Sequence, residues 1–529
     1  MRRISTLLIS LSLASCAQLN TSSEAQYLTV LHTNDNHGRF WQNEHGEYGM
    51  AARKTLIDNL RAEAKSKGQE VILLSGGDIN TGIPESDLQF AEPDFKGMKM
   101  LGYDAMAIGN HEFDNTQDVL KQQIEWAEFP VLSANIIDEK TAKPAYQPYT
   151  IIDKGHLKIA VIGLTTVDTA KIANPDYIAG LKFEEPATIT EKLASSIKAQ
   201  YHPDVTIAVT HMGHYHNANF GINAPGDVTL ARTLPKGTLD LIVGGHSQEP
   251  VCVDEKGDED TSFAPGKACK PDNQNGTWIM QAHEWGKYVG KAEFKIQDGK
   301  VELLSYALIP VNLKDKTGNF VNPEIKPDPE MLSFLTPYQE KGAKQLEGAV
   351  GHAVDFFDGE RSTVRFKQSP LADLIIAAQM AATHADFGII SGGGIRASIE
   401  AGEVSYKDIL KVHPFKNRIT YVEWTGKELA DYLNIIARYP PDSGAYLQYH
   451  NITFTVGQDT IENIKVNGAQ IKPDGKYRMS INSYNASGGD GYPSLTNNPT
   501  YVDTSRTDAE VLKEYFQHHS PVATSAFRF

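Results

Sequence analysis

Between residues 27 and 312, short apolar runs recur at 28–31, 71–74, 105–108, 159–164, 205–209 and 239–243, separated by longer mixed segments. Runs this short, rich in Val, Ile and Leu, predict buried strands; the segments between them predict helices, which together read as a layered α/β domain. Residues 314–329 are polar and proline-containing and mark a boundary. A stretch rich in Leu, Glu, Lys and Gln follows at 329–347 and predicts a helix, either connecting two domains or ending one of them. A second, smaller α/β domain begins near residue 350, with a predicted helix at 370–383, a glycine run at 392–394 and a Gly-Gly-Asp-Gly turn at 488–491. The expected division is therefore 1–16 export signal, 17–26 tether, 27–328 first domain, 329–349 linker helix and hinge, 350–529 second domain.

The length of 529 residues agrees with more than one core. A formal charge of −16 excludes nucleic acid as a partner, because a phosphate backbone needs a basic surface. An anionic substrate would have to meet positive charge concentrated at one place. Arg2 and Arg3 precede an apolar stretch, 4–13, too short to span a bilayer. It ends Leu13-Ala14-Ser15-Cys16, which resembles a bacterial lipobox with Cys16 as the lipidated residue; cleavage near Ala17 without lipid is the alternative. Of three cysteines, Cys16 would go to the lipid, leaving Cys252 and Cys269 as an even pair around a polar loop, so a disulfide is expected in an oxidising compartment. Membrane attachment is expected only through that anchor, on the periplasmic side of a bacterial envelope, for a monomeric protein.

The chemistry sits just after the apolar runs. The first leads into His32-Thr33-Asn34-Asp35-Asn36-His37, the second into Gly76-Gly77-Asp78, the third into Gly109-Asn110-His111-Glu112. The run at 205–209 leads into Thr210-His211, and that at 239–243 into Gly244-Gly245-His246-Ser247-Gln248. Ligands of α/β sheets gather beyond the carboxyl ends of strands, so five such endings can converge on one crevice. Mixed Asp, His and Asn or Gln donors suit first-row divalent ions. Asp35 and His37, two apart, share a side if the backbone stays extended. Asp78, on a glycine-flanked turn, suits a carboxylate that bridges two ions, an arrangement that makes a hydroxide nucleophile at neutral pH and orients displacement at phosphorus. A single such Asp is more often a turn residue or helix cap, and a single His structural; five endings each with a donor rarely arise from turn chemistry alone.

This ordered set resembles the calcineurin-like metallophosphoesterases. The strings Leu-His-Thr-Asn-Asp (31–35), Ile-Gly-Asn-His-Glu-Phe-Asp (108–114) and Gly-Gly-Asp-Gly-Tyr (488–492) narrow the resemblance to the 5′-nucleotidase family, closest to its bacterial periplasmic 5′-nucleotidase/UDP-sugar hydrolases. The resemblance implies two divalent metal ions, Zn, Mn, Co or Mg. It makes Asp35, His37, Asp78 and Gln248 the ligands of one and Asp78, Asn110, His211 and His246 those of the other. His111 and Asp114 resemble the catalytic dyad, a carboxylate-oriented imidazolium that stabilises charge on the phosphoryl oxygens or leaving group; a helix cap is the alternative for Glu112 or Asp114.

Local positive charge is expected from Arg361, Arg365 and Arg396, the last just after the glycine run. Arginine grips phosphate bidentately. The resemblance makes these the substrate-phosphate ligands, Phe415 and Tyr484 the aromatics that sandwich the base, and Asn417 and Asp490 the contacts to base and ribose. Tyr484 stands where phenylalanine is expected in the family. The implied activity is hydrolysis of extracytoplasmic nucleotides and nucleotide sugars by a metal-bridging hydroxide attacking phosphorus in line, with closure of the two domains. Alternatives are a 2′,3′-cyclic-nucleotide phosphodiesterase and a non-catalytic nucleotide-binding lipoprotein.

Overall fold

A computed structural model of the chain describes residues 24–173, 177–216, 224–346 and 348–527. The export signal, Cys16 and most of the tether lie outside the described residues. No described helix is long and apolar enough to cross a membrane.

Each predicted apolar run falls in or against a strand of one of two six-stranded sheets. The first sheet orders its strands Lys300–Pro310, Tyr288–Gln297, Gln26–Thr33, Glu70–Ser75, Ala105–Ala107 and Val131–Leu132. The second orders Asp272–Gln274, Thr277–Met280, Leu241–Val243, Val205–His211, Leu157–Thr165 and Tyr149–Lys154. The central strands of each are parallel; antiparallel strands close both edges of the second sheet and one edge of the first, whose other edge, Val131–Leu132, pairs parallel. Alternation along the strands explains the layering. Leu28 and Val30 meet Val161 and Val209 between the sheets, while Leu31 turns outward to the helices Met50–Ser66 and Glu92–Leu101. Ile162 and Ala208 face the opposite way, onto Pro186–Tyr201 and Asp227–Thr233. Burial on both faces is why the runs carry few polar positions.

The helix predicted at 329–347 spans Pro329–Leu346 and tolerates Pro337 inside it. Met331 and Leu335, one turn apart, are buried in the outer core of the first domain, so the helix is docked along most of its length. The second domain is built on a five-stranded sheet, Leu447–His450, Phe387–Ser391, Lys476–Asn482, Arg418–Thr425 and Val502–Thr507. Pro370–Thr383 and Asp508–His519 cover one face and Gly426–Ile436 the other. Three contacts join the domains beside the first sheet's loops: an ion pair between Lys407 and Glu85, the ring of Phe415 on His111, and Lys416 Nζ at 5.1 Å from the Phe90 ring.

Candidate metal centre and substrate site

Three of the five donor-bearing loops leave the first sheet and two leave the second, all at carboxyl ends of parallel strands. They meet where the sheets' loops touch: a Cβ on Gly76 would lie 2.3 Å from the Gly244 carbonyl oxygen, so only glycine lets the two backbones approach this closely. Gly109 is equally constrained, since its Cβ would stand 2.1 Å from Asp78 Oδ1.

The expected donors converge there. His211 Nε2 is 2.9 Å from Asp78 Oδ2 and 3.1 Å from Asn110 Oδ1. His246 Nδ1 lies 2.8 Å from that same Asn110 oxygen and 3.3 Å from His211 Nε2. His37 Nε2 stands 3.8 Å from Asp78 Oδ2 and 3.8 Å from Asp35 Oδ1, and the Gln248 amide reaches it at 2.8 Å. The imidazoles of His37 and His211, one from each set of residues expected to hold an ion, both approach Asp78 Oδ2.

One expectation fails in its details. Asp35 and His37 do not share a side through an extended backbone; their φ angles are 51° and 49°, in the left-handed region. Asp78, His246 and Gln248 are left-handed too, at 56°, 83° and 59°. Each such turn is disfavoured for a side chain with a Cβ, and the surroundings must over-determine it. Here they do. The Asp35 N–H donates to Gly77 O (2.9 Å), His37 N–H to Asp78 O (3.1 Å), and His246 N–H to the Asp35 carboxylate (3.0 Å).

The donor chemistry fits divalent cations. His37 Nδ1 is 2.9 Å from the Thr81 carbonyl and His211 Nδ1 is 2.7 Å from the Gly76 carbonyl; a carbonyl only accepts, so both Nδ1 atoms carry protons and both rings turn Nε2 inward. Burial pushes His37 and His246 down to about 3, keeping them neutral, as ligation requires. Burial would raise Asp78 and lower His211, but their attraction outweighs it: the His211 and His111 imidazoliums hold the Asp78 carboxylate far down, and Asp78 raises His211 to about 10. Burial pushes Asp35 up to about 7, so the cluster is a buried cradle of carboxylate, imidazole and amide donors whose protons a divalent cation would displace.

His111 turns its Nε2 into this cradle, 4.0 Å from Asp78 Oδ2, and presents Nδ1 to Asp114 Oδ2 at 2.6 Å. Burial alone would lower it; the Asp114 and Asp78 carboxylates prevail and raise it to about 9. At neutral pH it is an imidazolium with its Nε2 proton aimed at the site.

Of the residues expected to bind substrate, Phe415 of the second domain lies beside the cradle, against His111, with Arg396 over its ring. Arg361 starts the single turn Arg361–Val364, Arg365 caps its C-terminal end, and Arg396 follows the 3₁₀ turn Gly392–Gly394. The Arg361 guanidinium donates to Asp442 Oδ1 at 3.3 Å. Arg365 is lowered to about 9, first by burial and then by the charges of Arg396 and Arg361. Mutual repulsion of this kind marks a pocket that favours an anion. The Arg396 guanidinium carbon is 5.5 Å from the Phe415 ring centroid, and Phe415 stacks on His111 at 6.0 Å and 13°. Tyr484 has other neighbours: its hydroxyl donates to Asp490 Oδ1 (3.1 Å) and accepts the Asp490 N–H (3.0 Å), which holds Asp490 at a left-handed φ of 56°. Asn417 is buried, and both its carbonyl and its side chain are engaged with Asp508. Cys252 and Cys269 form a disulfide.

Comparison with known proteins places this geometry. Residues 28–250 match the calcineurin-like phosphoesterase family model and residues 348–497 the 5′-nucleotidase C-terminal domain. A 5′-nucleotidase of Vibrio cholerae is 54% identical over 527 residues, 98% of this chain and 95% of the relative. The chain belongs to the 5′-nucleotidase family. Protein UshA of Escherichia coli is 52% identical over 530 residues, covering 98% and 96%. The crystal structure of a 5′-nucleotidase precursor from Thermus thermophilus, 27% identical, superposes with a TM-score of 0.74 over 93% of this chain and 96% of that one.

As a member of the 5′-nucleotidase family with a calcineurin-like domain, the chain is a metal-dependent phosphohydrolase of two-domain α/β architecture. Around its metal cradle stand residues that were not singled out from the sequence. Glu112, considered only as a helix cap, accepts the N–H groups of Gly109 (2.6 Å), Ile79 (2.8 Å) and Asp78 (3.1 Å). Asn34 donates to Asp35 Oδ2 (2.6 Å) and accepts the Ala282 N–H (2.7 Å). Arg39 donates to the His37 carbonyl (2.7 Å) and lies 4.0 Å over the Trp285 ring. Glu112 and Asn34 were available inside the quoted strings; nothing marked Arg39 or Trp285.

Proposed function

We propose that this protein hydrolyses nucleoside 5′-monophosphates and nucleotide sugars outside the bacterial cytoplasm. The observation that supports it most is the convergence of seven donors from five strand ends around Asp78, with an imidazolium and three arginines beside them. Two divalent ions are assigned, one to Asp35, His37, Asp78 and Gln248 and one to Asp78, Asn110, His211 and His246; the donor set suits Zn, Mn, Co or Mg. Bound there, such ions acidify water to a nucleophile at neutral pH and withdraw charge from the phosphoryl group.

The chain's own residues do the rest. Arg361, Arg365 and Arg396 hold the substrate phosphates, so that the scissile phosphorus faces the cradle. As the bond from phosphorus to the leaving oxygen breaks, His111 Nε2 donates its proton or a hydrogen bond to the charge that develops, and Asp114 keeps the ring oriented. Phe415 and Tyr484 take the base, and Asp490, positioned by the Tyr484 hydroxyl, takes the ribose. The assignment of Asn417 to the base requires its side chain to leave Asp508 or to share it. Domain closure brings the arginines to the metals, and with the helix Pro329–Leu346 docked on the first domain we place the hinge beyond its C-terminal end. The disulfide supports an oxidising compartment, and a lipid anchor at Cys16 is part of the same proposal, with the protein monomeric.

Rates of the purified chain on AMP, UDP-glucose and 2′,3′-cyclic AMP test the assignment. AMP and UDP-glucose are expected to turn over, with activity lost on chelation and restored by Mn or Zn. Turnover of the cyclic compound alone would transfer the protein to the phosphodiesterases, and binding without turnover would remove it from the enzymes.

A further inference from the structure

A second set of ligand-type side chains meets outside the catalytic cradle. His214 and His216 follow the strand Val205–His211, and Asp272 begins the edge strand Asp272–Gln274 of the same sheet. His214 Nε2 stands 2.9 Å from Asp272 Oδ2, and the two imidazole rings are edge to face at 4.9 Å. One ligand atom from each of the three lies within 4.8 Å of the others. We propose that His214, His216 and Asp272 form a separate divalent-cation site of the zinc class.

Two imidazoles and a carboxylate with an open fourth position are a complete donor set for Zn. Ligand atoms at ~2.1 Å from a tetrahedral ion stand roughly 3.4 Å apart. The His214–Asp272 pair, at 2.9 Å, is slightly tighter than that, and the exposed His216 offers a ring nitrogen within 4.8 Å of both. Asp272 is fixed in advance. It is 2% exposed and accepts the Asn273 N–H (2.7 Å) and the Gln274 amide (2.9 Å), the outer contacts that orient a metal-binding carboxylate. A purely structural His–Asp pair needs no third member, yet an exposed second imidazole is turned onto this one. Asp258 adds negative charge near His216. The nearest cation, Arg232, opposes it, but is committed to the Gln274 side-chain oxygen (2.9 Å) and the His216 carbonyl (3.2 Å).

The site is independent of catalysis in its side chains. His214 touches the loop of His246 and Gln248 through its backbone N–H, which donates to Ser247 Oγ at 3.2 Å; its ring faces Asp272 instead. An ion here would cross-link the loop after one strand to the sheet edge and stabilise the first domain in proportion to its occupancy.

Zinc titration of the full chain, with metal content measured after gel filtration at a fixed free zinc concentration, decides the matter. The His216→Ala protein is expected to hold about one zinc ion fewer than the wild type, to gain less in Tm on addition of zinc, and to keep AMP turnover within about twofold. Equal zinc content in the two proteins would overturn the proposal. So would a loss of zinc accompanied by loss of turnover, which would assign His216 to the catalytic ions.

Discussion

The ring of Phe415, from the second domain, lies on the ring of His111, from the first, with centroids 6.0 Å apart and planes 13° from parallel. The aromatic proposed to stack on a base therefore occupies the space above the proposed acid, and a nucleotide must part them to enter. Stacking is worth ~1–3 kcal/mol per base. Phe415→Ala is expected to raise KM for AMP by about tenfold or more while changing KM for p-nitrophenyl phosphate, which has no base, by less than about threefold. Equal effects on both substrates would deny Phe415 a part in base recognition.

The cradle and the dyad should respond differently to substitution. Asp78 is approached by imidazoles of both groups of donors, whereas His111 contacts the cradle at 4.0 Å and is held from outside by Asp114. Asp78→Ala is expected to abolish metal content and turnover together. His111→Ala should cut kcat by about 10²–10⁴-fold, the range of a general acid, with both metals retained. Metal analysis beside steady-state kinetics separates the two; retention of wild-type rates in either variant would overturn the role given to that residue.

Away from the site, Glu293 carries a pH-dependent share of stability. Burial would raise its pKa, but the Ser305 hydroxyl, Lys67 and Lys291 outweigh it and hold the carboxylate at about 2. The folded value is depressed, so the contribution is present above the ordinary glutamate range and is lost as pH falls toward 2. Lys67 is half-exposed, which limits the contribution to ~1 kcal/mol or less. Glu293→Gln should lower Tm by about 2 °C at pH 7, with the gap beginning to shrink near pH 4 and closing only at about pH 2. A gap that is constant with pH would show that packing, not charge, is responsible.

Much of this was legible in the chain. Strands buried on both faces leave continuous apolar runs, and donors placed directly after them locate a site at the sheet's carboxyl edge. Backbone hand was not legible. The i, i+2 spacing of Asp35 and His37 implies a shared side only for an extended chain, and both residues are instead left-handed, held there by bonds from loops over forty residues away. Docking of the helix Pro329–Leu346 could have been read from Met331 and Leu335 at one-turn spacing. The engagement of Asn417 with Asp508 could not, because it joins residues ninety-one positions apart through tertiary packing.

Glu112 shows what motif reading passes over. Its carboxylate has no place among the donors, yet it accepts N–H groups from both sides of the cradle, Asp78 and Ile79 on one loop and Gly109 on the other. It fixes the loop that carries Asp78 against the loop that carries Asn110. Replacing one oxygen by an amide nitrogen leaves at least one of these buried N–H groups unsatisfied, at ~1–3 kcal/mol. Glu112→Gln is therefore expected to lower Tm, and, because outer contacts orient metal ligands, to weaken metal retention by about 10–100-fold. The informative measurement is activity against added Mn. A variant that regains most of its kcat at high metal has a positioning defect, as the geometry requires. One that stays inactive with its metals fully bound would place Glu112 in the chemistry itself.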